Sequence, residues 1–445
     1  MTALSSTVSP TPSSTTADPL CLRRPALHTL CLRARLARSI LGQVAQRVPV
    51  DVVMPDGTLL GGGSRSSEHA EHAVHAVPAQ RPALEVVRPG ALFERLAHHP
   101  KIGIGEAYMA GDWRAADGTD LAELLVPFAA RITTAVPKGW LRLRGVVDRR
   151  IPRIQENSLL GSRRNIEAHY DLSNDLFAAF LDATMTYSSA MFDEDQPLRT
   201  QSLEQAQLRK VHAILDLAKV GQHTRLLEIG TGWGTLALEA ARRGATVTSV
   251  TLSREQAALA RERVAAARYA DKVDIRIQDY REVEGVYDAV VSVEMIEAVG
   301  EEYWETYFRT IDERLAPGGI AAVQAILMSH ERLLATRHSY GWIQKHIFPG
   351  GLIPSLQAMS ETTDAATSLR MTAVEPFGAD YAETLRRWRE TFLARWPEVE
   401  ALGFDETFRR KWEFYLAYCE AGFATGYLDV AQVRLEREGA APGAS

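Results

Sequence analysis

From residue 201 the chain alternates between two hydrophobic periods. Apolar positions recur at helical spacing over about 202–219, 235–243, 255–269 and 301–315. Between them lie short apolar, β-branched runs: RLLEIG (225–230), ATVTSVTLS (245–253), VDIRIQD (273–279), YDAVVSVEM (287–295) and IAAVQAIL (320–327). Strands spaced by helices form right-handed βαβ units, so this half predicts an α/β, doubly wound parallel sheet with helices on both faces.

The first 200 residues read differently. Residues 1–25 are rich in Ser, Thr and Pro, without a basic segment leading into an apolar one, which predicts a disordered tail and not a signal peptide. Over 26–48, Leu27, Leu30, Ala34, Ala37, Leu41 and Val44 keep helical spacing, with Leu32 and Leu36 off the stripe. That helix either packs on its own domain or, with Arg33, Arg35 and Arg38, lies on a membrane surface. A turn at Pro55-Asp56-Gly57 separates strand-like pieces. The His-bearing stretch 64–80, with His69, His72 and His75, matches no metal-ligand spacing and reads as a solvated segment. Strand and helix signals resume from Ala83 to about Val126, and a helical, Arg-rich linker runs to about 160. The N-terminal part is thus expected to be a small α+β domain with its own core.

Composition narrows the class. The 445 residues are 46% hydrophobic and 24% charged, too apolar for a disordered protein, and no apolar stretch reaches the roughly 18 residues of a spanning helix. A net charge of −6 gives no overall basic field for nucleic acid. Cys21, Cys31 and Cys419 form no C-x-x-C pair, so neither a disulfide framework nor a metal site is expected, and a reducing cytoplasm fits.

The first strand of the α/β half runs into Glu228-Ile229-Gly230-Thr231-Gly232-Trp233-Gly234 and then a helix. Glycines there let the backbone turn sharply and approach a ligand where a Cβ would clash. Nucleoside and dinucleotide binders share such turns. A dinucleotide binder usually has G-x-G-x-x-G and an acidic residue about 20 positions on. Here the second strand ends in Thr251-Leu252-Ser253, which disfavours NAD, and the third ends in Gln278-Asp279, an amide and a carboxylate suited to an adenine edge or a ribose.

Several segments together resemble the class I S-adenosylmethionine-dependent methyltransferases, and more closely the cyclopropane-fatty-acyl-phospholipid synthase and mycolic acid methyltransferase family. They are AHYDLSNDLFAAFLDATMTYSSAMF (168–192), LLEIGTGWGTLAL (226–238), VTLSREQ (250–256), IQDYR (277–281), VEMIEAVGEEYW (293–304), HIFPGG (346–351) and FGADYAETLRRW (377–388), with GEAYMAGDW (105–113) extending the match N-terminally.

The resemblance implies a class I methyltransferase, Rossmann-like domain over 151–435, a lipid- and membrane-contacting domain over 26–150, and a tail at 436–445. It implies S-adenosylmethionine bound by Tyr187, Ser188, Glu228, Gly230, Gly232, Gly234, Thr251, Leu252, Gln256, Gln278 and Asp279. It also implies a bound bicarbonate as base, held by Glu297, Tyr381 and backbone groups. Ser189 stands where many members have Cys, and Gln324 where many have His, so Ser189 and Ile326 are expected to act through their backbones. The substrate implied is the cis double bond of unsaturated phospholipid acyl chains, in a tunnel lined by 168–192 and 328–360.

Methyl transfer leaves a carbocation that aromatic faces stabilise, and Tyr170, Phe177, Phe180, Tyr187, Phe192, Trp342, Phe348 and Tyr381 are candidates. Proton loss from the transferred carbon closes a cyclopropane, or, after a hydride shift, leaves an exocyclic methylene. Gln324 and the Arg-rich composition resemble the actinobacterial branch that makes methylene and methyl-branched, tuberculostearic-type lipids. That outcome implies a flavin- or NADPH-dependent reductase partner. A peripheral position at the inner face of the cell membrane is expected, and a homo-oligomer is compatible with the pattern. The other readings are a cyclopropane synthase, a non-catalytic lipid-binding protein and an NAD-dependent oxidoreductase.

Overall fold

The structure, a computed structural model, describes residues 32–60, 81–131 and 173–437. The histidines at 69, 72 and 75, the linker beyond Arg131, the N-terminal tail, residues 438–445 and Tyr170 lie outside them, whereas Glu436 and Arg437, expected in the C-terminal tail, belong to the last strand.

The N-terminal layer contains α1 (Leu32–Arg47), β1 (Asp51–Val53), β2 (Ala83–Val86), α2 (Pro89–His98), α3 (Pro100–Met109), β3 (Trp113–Ala115) and α4 (Leu121–Ala130). The three short strands form one sheet. On α1 the small residues Ala34, Ala37 and Ala45 are buried while Leu32 is 82% and Leu36 42% exposed, beside exposed Arg33, Arg35 and Arg38. The apolar stripe therefore packs inward, and the two leucines outside it face solvent.

The second half opens with α5 (Asn174–Phe180) and α6 (Leu203–Leu217). Then follow β4 (Arg225–Ile229), α7 (Thr235–Arg242), β5 (Thr246–Thr251), α8 (Arg254–Ala266), β6 (Val273–Ile277), β7 (Tyr287–Val293), α9 (Ile296–Val299), α10 (Trp304–Arg314) and β8 (Leu315–Met328). The strands from β4 to β8 pair in parallel, as the alternating pattern predicts. The chain continues through α11 (His330–Thr336), α12 (Trp342–His346), α13 (Leu356–Ala366), β9 (Leu369–Pro376), α14 (Gly378–Ala394), α15 (Trp396–Ala401), α16 (Glu406–Ala424) and β10 (Leu428–Arg437). Here the sheet departs from the sequence expectation. Its order is β6-β5-β4-β7-β8-β10-β9, and β10 lies antiparallel between β8 and β9. The sheet is mixed, because its last strand returns to pair with β8.

The two halves share one apolar core, which corrects the expectation of a separate N-terminal core. Trp113, Leu92 and Phe93 of the first half belong to the same buried cluster as Phe177, Phe180, Trp388, Trp412 and Phe414. The insertion after β8 joins them further. A Cβ on Gly105 of α3 would lie 2.5 Å from the Trp342 ring, so the glycine lets that ring sit flush on the helix. Lys345 pairs with Glu106 of the same helix at 2.6 Å. Trp342, a candidate for stabilising the carbocation, is thus a core residue of this junction.

Candidate functional site

Ligands of open α/β sheets bind at the carboxyl ends of the strands. There the glycine turn after β4 places Gly230, Gly232 and Gly234 at φ values of +98°, +51° and +86°. A Cβ on Gly230 would stand 2.7 Å from the side chain of Met295, while one on Gly232 would meet nothing within 4 Å. The turn is therefore closed on one side and bare toward an open cleft. The empty space of that cleft, its mouth included, is about 1240 Å³, and every residue expected to contact the cofactor lines it except Gly234. Gly234 instead precedes α7, and its Cβ would lie 3.1 Å from that of Ala260. It serves the packing of α7 on α8, which corrects its assignment as a contact.

A polar floor underlies the turn. Ser249 of β5 donates to Glu228 at 2.5 Å and bonds to Thr231 at 2.7 Å. Burial pushes the Glu228 carboxyl up to about 8. Thr251 donates to Gln256 at 3.2 Å. Asp279 is held by Arg281 through both carboxylate oxygens, at 2.8 and 2.7 Å, and Gln278 donates to the Glu282 carbonyl at 2.7 Å. The opposite wall carries Tyr187, whose ring lies 5.1 Å from Phe177 and 5.3 Å from Trp388 and whose hydroxyl bonds to Tyr415 at 2.8 Å. Of the aromatic candidates, Tyr187 lines the cleft. Phe177 and Phe180 lie in the core behind it, and Phe192 packs separately under Arg387.

Two groups that sequence reasoning did not single out also line the cleft. Lys210 of α6 is 1% exposed and donates to Ser188 at 2.6 Å. Burial pushes its amine down to about 8, against the opposing pull of Glu294, Asp182 and Glu228. Its signal was a lysine on the apolar stripe of Ala206, Val211 and Ile214. Glu294, just after β7, has φ +52°, a conformation that residues other than glycine rarely adopt. Its Oε1 accepts from the Ser189 backbone N–H at 2.9 Å and from the Gln324 amide at 2.8 Å, and its Oε2 from the Tyr381 hydroxyl at 2.6 Å. Burial raises the Glu294 carboxyl, and these donors oppose that rise.

Of the five residues carried over as catalytic, Ser189, Gln324 and Tyr381 gather around this carboxylate, and Ile326 does not. Glu297 does not join them: its Oε1 accepts from the Ile326 backbone N–H, and its Oε2 is buried without a hydrogen-bond partner among the described residues. Each backbone or side-chain donor expected to hold bicarbonate is therefore bonded to a carboxylate of this chain. The Glu294 carboxylate already takes the Ser189, Gln324 and Tyr381 donors, and would repel a second anion beside it. These residues do not fit a bicarbonate ion, which corrects that expectation.

Burial and the Glu294 charge push the Glu297 carboxyl up to about 8 from 4.5. A raised acid contributes stability that is complete below the unfolded value and is lost as pH rises through the folded one. Glu297→Gln mimics the neutral acid at every pH. The variant should therefore match the parent near pH 5 and melt at least about 2 °C higher at pH 9. Melting curves that stay parallel across that range would refute it.

A family model described as mycolic acid cyclopropane synthetase matches residues 158–433. The chain belongs to this family. Tuberculostearic acid methyltransferase UfaA1 of Mycobacterium tuberculosis is 48% identical over 410 residues, covering 91% of this chain and 92% of its own. Cyclopropane-fatty-acyl-phospholipid synthase of Escherichia coli K12 is 34% identical over 352 residues, covering 78% and 85%. The solved structure of mycolic acid cyclopropane synthase CmaA1 complexed with SAH and CTAB superposes with a TM-score of 0.57 at 28% identity, covering 62% of this chain and 98% of its own. This member of the mycolic acid cyclopropane synthetase family is an S-adenosylmethionine-dependent methyltransferase with the Rossmann-like α/β fold, and the oxidoreductase reading falls away.

Proposed function

We propose that the enzyme adds a one-carbon unit to the cis double bond of unsaturated phospholipid acyl chains and releases a methylene-bearing chain, the precursor of a tuberculostearic-type methyl-branched lipid. The observation that carries this reading is the 48% identity to a tuberculostearic acid methyltransferase along 91% of the chain, N-terminal layer included. The 34% identity to a cyclopropane synthase favours the ring as the second reading.

S-adenosylmethionine supplies an electrophilic methyl group. The bare Gly230–Gly232 backbone would hold its amino-acid end, with Glu228 beneath. Thr251, Leu252, Gln256, Gln278 and Asp279 would hold its nucleoside end. The Tyr187 ring, stiffened by Phe177 and Trp388, would face the cationic centre and stabilise it by about 0.5–2 kcal/mol. Leu32 and Leu36, standing exposed among Arg33, Arg35 and Arg38 on α1, suit peripheral contact with an anionic lipid surface. No described helix is long and apolar enough to cross a membrane.

The test is product analysis. Enzyme incubated with oleoyl phospholipid vesicles and S-adenosylmethionine should yield a lipid one CH2 heavier whose NMR spectrum shows exocyclic vinylidene protons. Upfield cyclopropane protons would establish the second reading instead. Reduction of the first product requires a flavin- or NADPH-dependent partner, so the methylene lipid should accumulate when the enzyme works alone.

A further inference from the structure

We propose that Glu294 is the built-in base of this enzyme, its carboxylate doing the work for which the family resemblance implies bicarbonate. The assignment rests on the reading of the reaction as methyl addition to an acyl double bond.

Its first support is the identity of the donors. Ser189 N–H, the Gln324 amide and the Tyr381 hydroxyl come from three separate parts of the chain, the segment after α5, β8 and α14, and all three converge on this one carboxylate at 2.6–2.9 Å. A carboxylate presents the same planar O–C–O edge as bicarbonate, so the same donors serve either.

The second support is orientation. Gln324 Oε1 accepts from Gln432 of β10 at 3.1 Å, which leaves the Gln324 amide nitrogen pointing at Glu294. Gln432 in turn donates to the Lys210 carbonyl at 3.1 Å. A glutamine at position 324 is therefore wired to serve a fixed carboxylate. The third support is position and backbone. Glu294 lines the same cleft as Tyr187, Ser188 and Gly230. It is also held at φ +52°, and strain of this kind persists where the surroundings over-determine a residue and clusters at functional sites. The buried Lys210 ammonium is among the charges that favour its ionised form.

The step balances within these groups. Methyl transfer breaks the S–CH3 bond and leaves the charge on the neighbouring chain carbon, and a 1,2-hydride shift moves it to the methylated carbon; a C–H bond of the transferred carbon then breaks and its electron pair forms the second bond to that cationic carbon. The proton goes to a Glu294 oxygen, so the substrate cation and the carboxylate are both neutralised. Loss of that proton to water in the open cleft restores the base.

The test uses the full-length enzyme with oleoyl phospholipid vesicles and labelled S-adenosylmethionine, in buffer stripped of carbon dioxide and then with added sodium bicarbonate. Wild-type turnover is expected to be equal in both. Glu294→Gln should lose about 100-fold or more in turnover with unchanged affinity for S-adenosylhomocysteine. Glu294→Gly, which frees the three donors, should regain turnover when bicarbonate is added. Stimulation of the wild type by bicarbonate, or an active Glu294→Gln, overturns the assignment. If the glutamine variant fails to bind S-adenosylhomocysteine, the wild-type titration decides alone. A wild type that methylates no lipid under either condition refutes the substrate reading and this proposal with it, whereas lipid methylated only with bicarbonate refutes the base alone.

Discussion

Gly230→Val is expected to weaken S-adenosylhomocysteine binding by about 100-fold or more while leaving the sheet folded. Position 230 has φ +98°, where a β-branched residue is a steric outlier. Such strain costs about 1–3 kcal/mol. The new side chain also begins 2.7 Å from Met295, and inserting methyl groups into a packed site costs about another 1–3 kcal/mol. The turn relieves both only by moving off the position in which it borders the cleft. The strand behind it, Leu226 to Ile229, is buried and paired on both sides, so the displacement stays local. Isothermal calorimetry with S-adenosylhomocysteine measures the effect and a melting curve checks the fold. Near-wild-type affinity would show that the turn does not touch the cofactor.

The second large effect concerns Lys210→Met. Methionine fills much of the same volume, so the main loss is a buried cation facing Glu294, Asp182 and Glu228. Removing one partner of a buried charge cluster costs about 3–5 kcal/mol, because the charges left behind have no compensation. The pH dependence gives the signature. Burial pushes the lysine down to about 8 from 10.5, so the cost of burying the ammonium is complete below pH 8 and fades as pH rises toward 10.5. The variant should therefore be less stable than the parent at pH 7 and trail it further at pH 10. Thermal denaturation at the two values decides, and an equal loss at both would mean that the lysine acts through packing.

The parts of this protein legible in its sequence are those governed by local periodicity. Strands β4 to β8 alternate with helices whose apolar faces repeat every three or four residues, and the glycine turn marks the ligand end of β4 without reference to anything distant. The chemistry around Glu294 depends instead on long-range placement. Glu294 and Glu297 are three residues apart in VEMIEAVG, and nothing in that string says which carboxylate meets Tyr381. The left-handed backbone at 294 decides it, and that conformation is imposed by surroundings drawn from β8 and α14. Lys210 was hidden for a related reason, since a polar residue on a helix stripe is read as facing solvent until the strand it packs on is known. Strand β10 escaped notice because its partners, β8 and β9, lie about 60 to 110 residues earlier in the chain, beyond the reach of any window of periodicity. The separate N-terminal core failed likewise: the aromatic rings that complete it come from α5, α14 and α16.

The place of β10 has a consequence for how the protein is made. A strand that fills the gap between two earlier strands is the last wall of the sheet to arrive during synthesis, and it brings Gln432, which orients Gln324 toward Glu294. Until residues 428–437 have emerged from the ribosome, β8 and β9 are edges without their shared neighbour, open to pairing with other chains. Nascent or truncated protein therefore lacks an ordered proton acceptor while its glycine turn is already complete, and the capacity to bind cofactor precedes the capacity to turn it over.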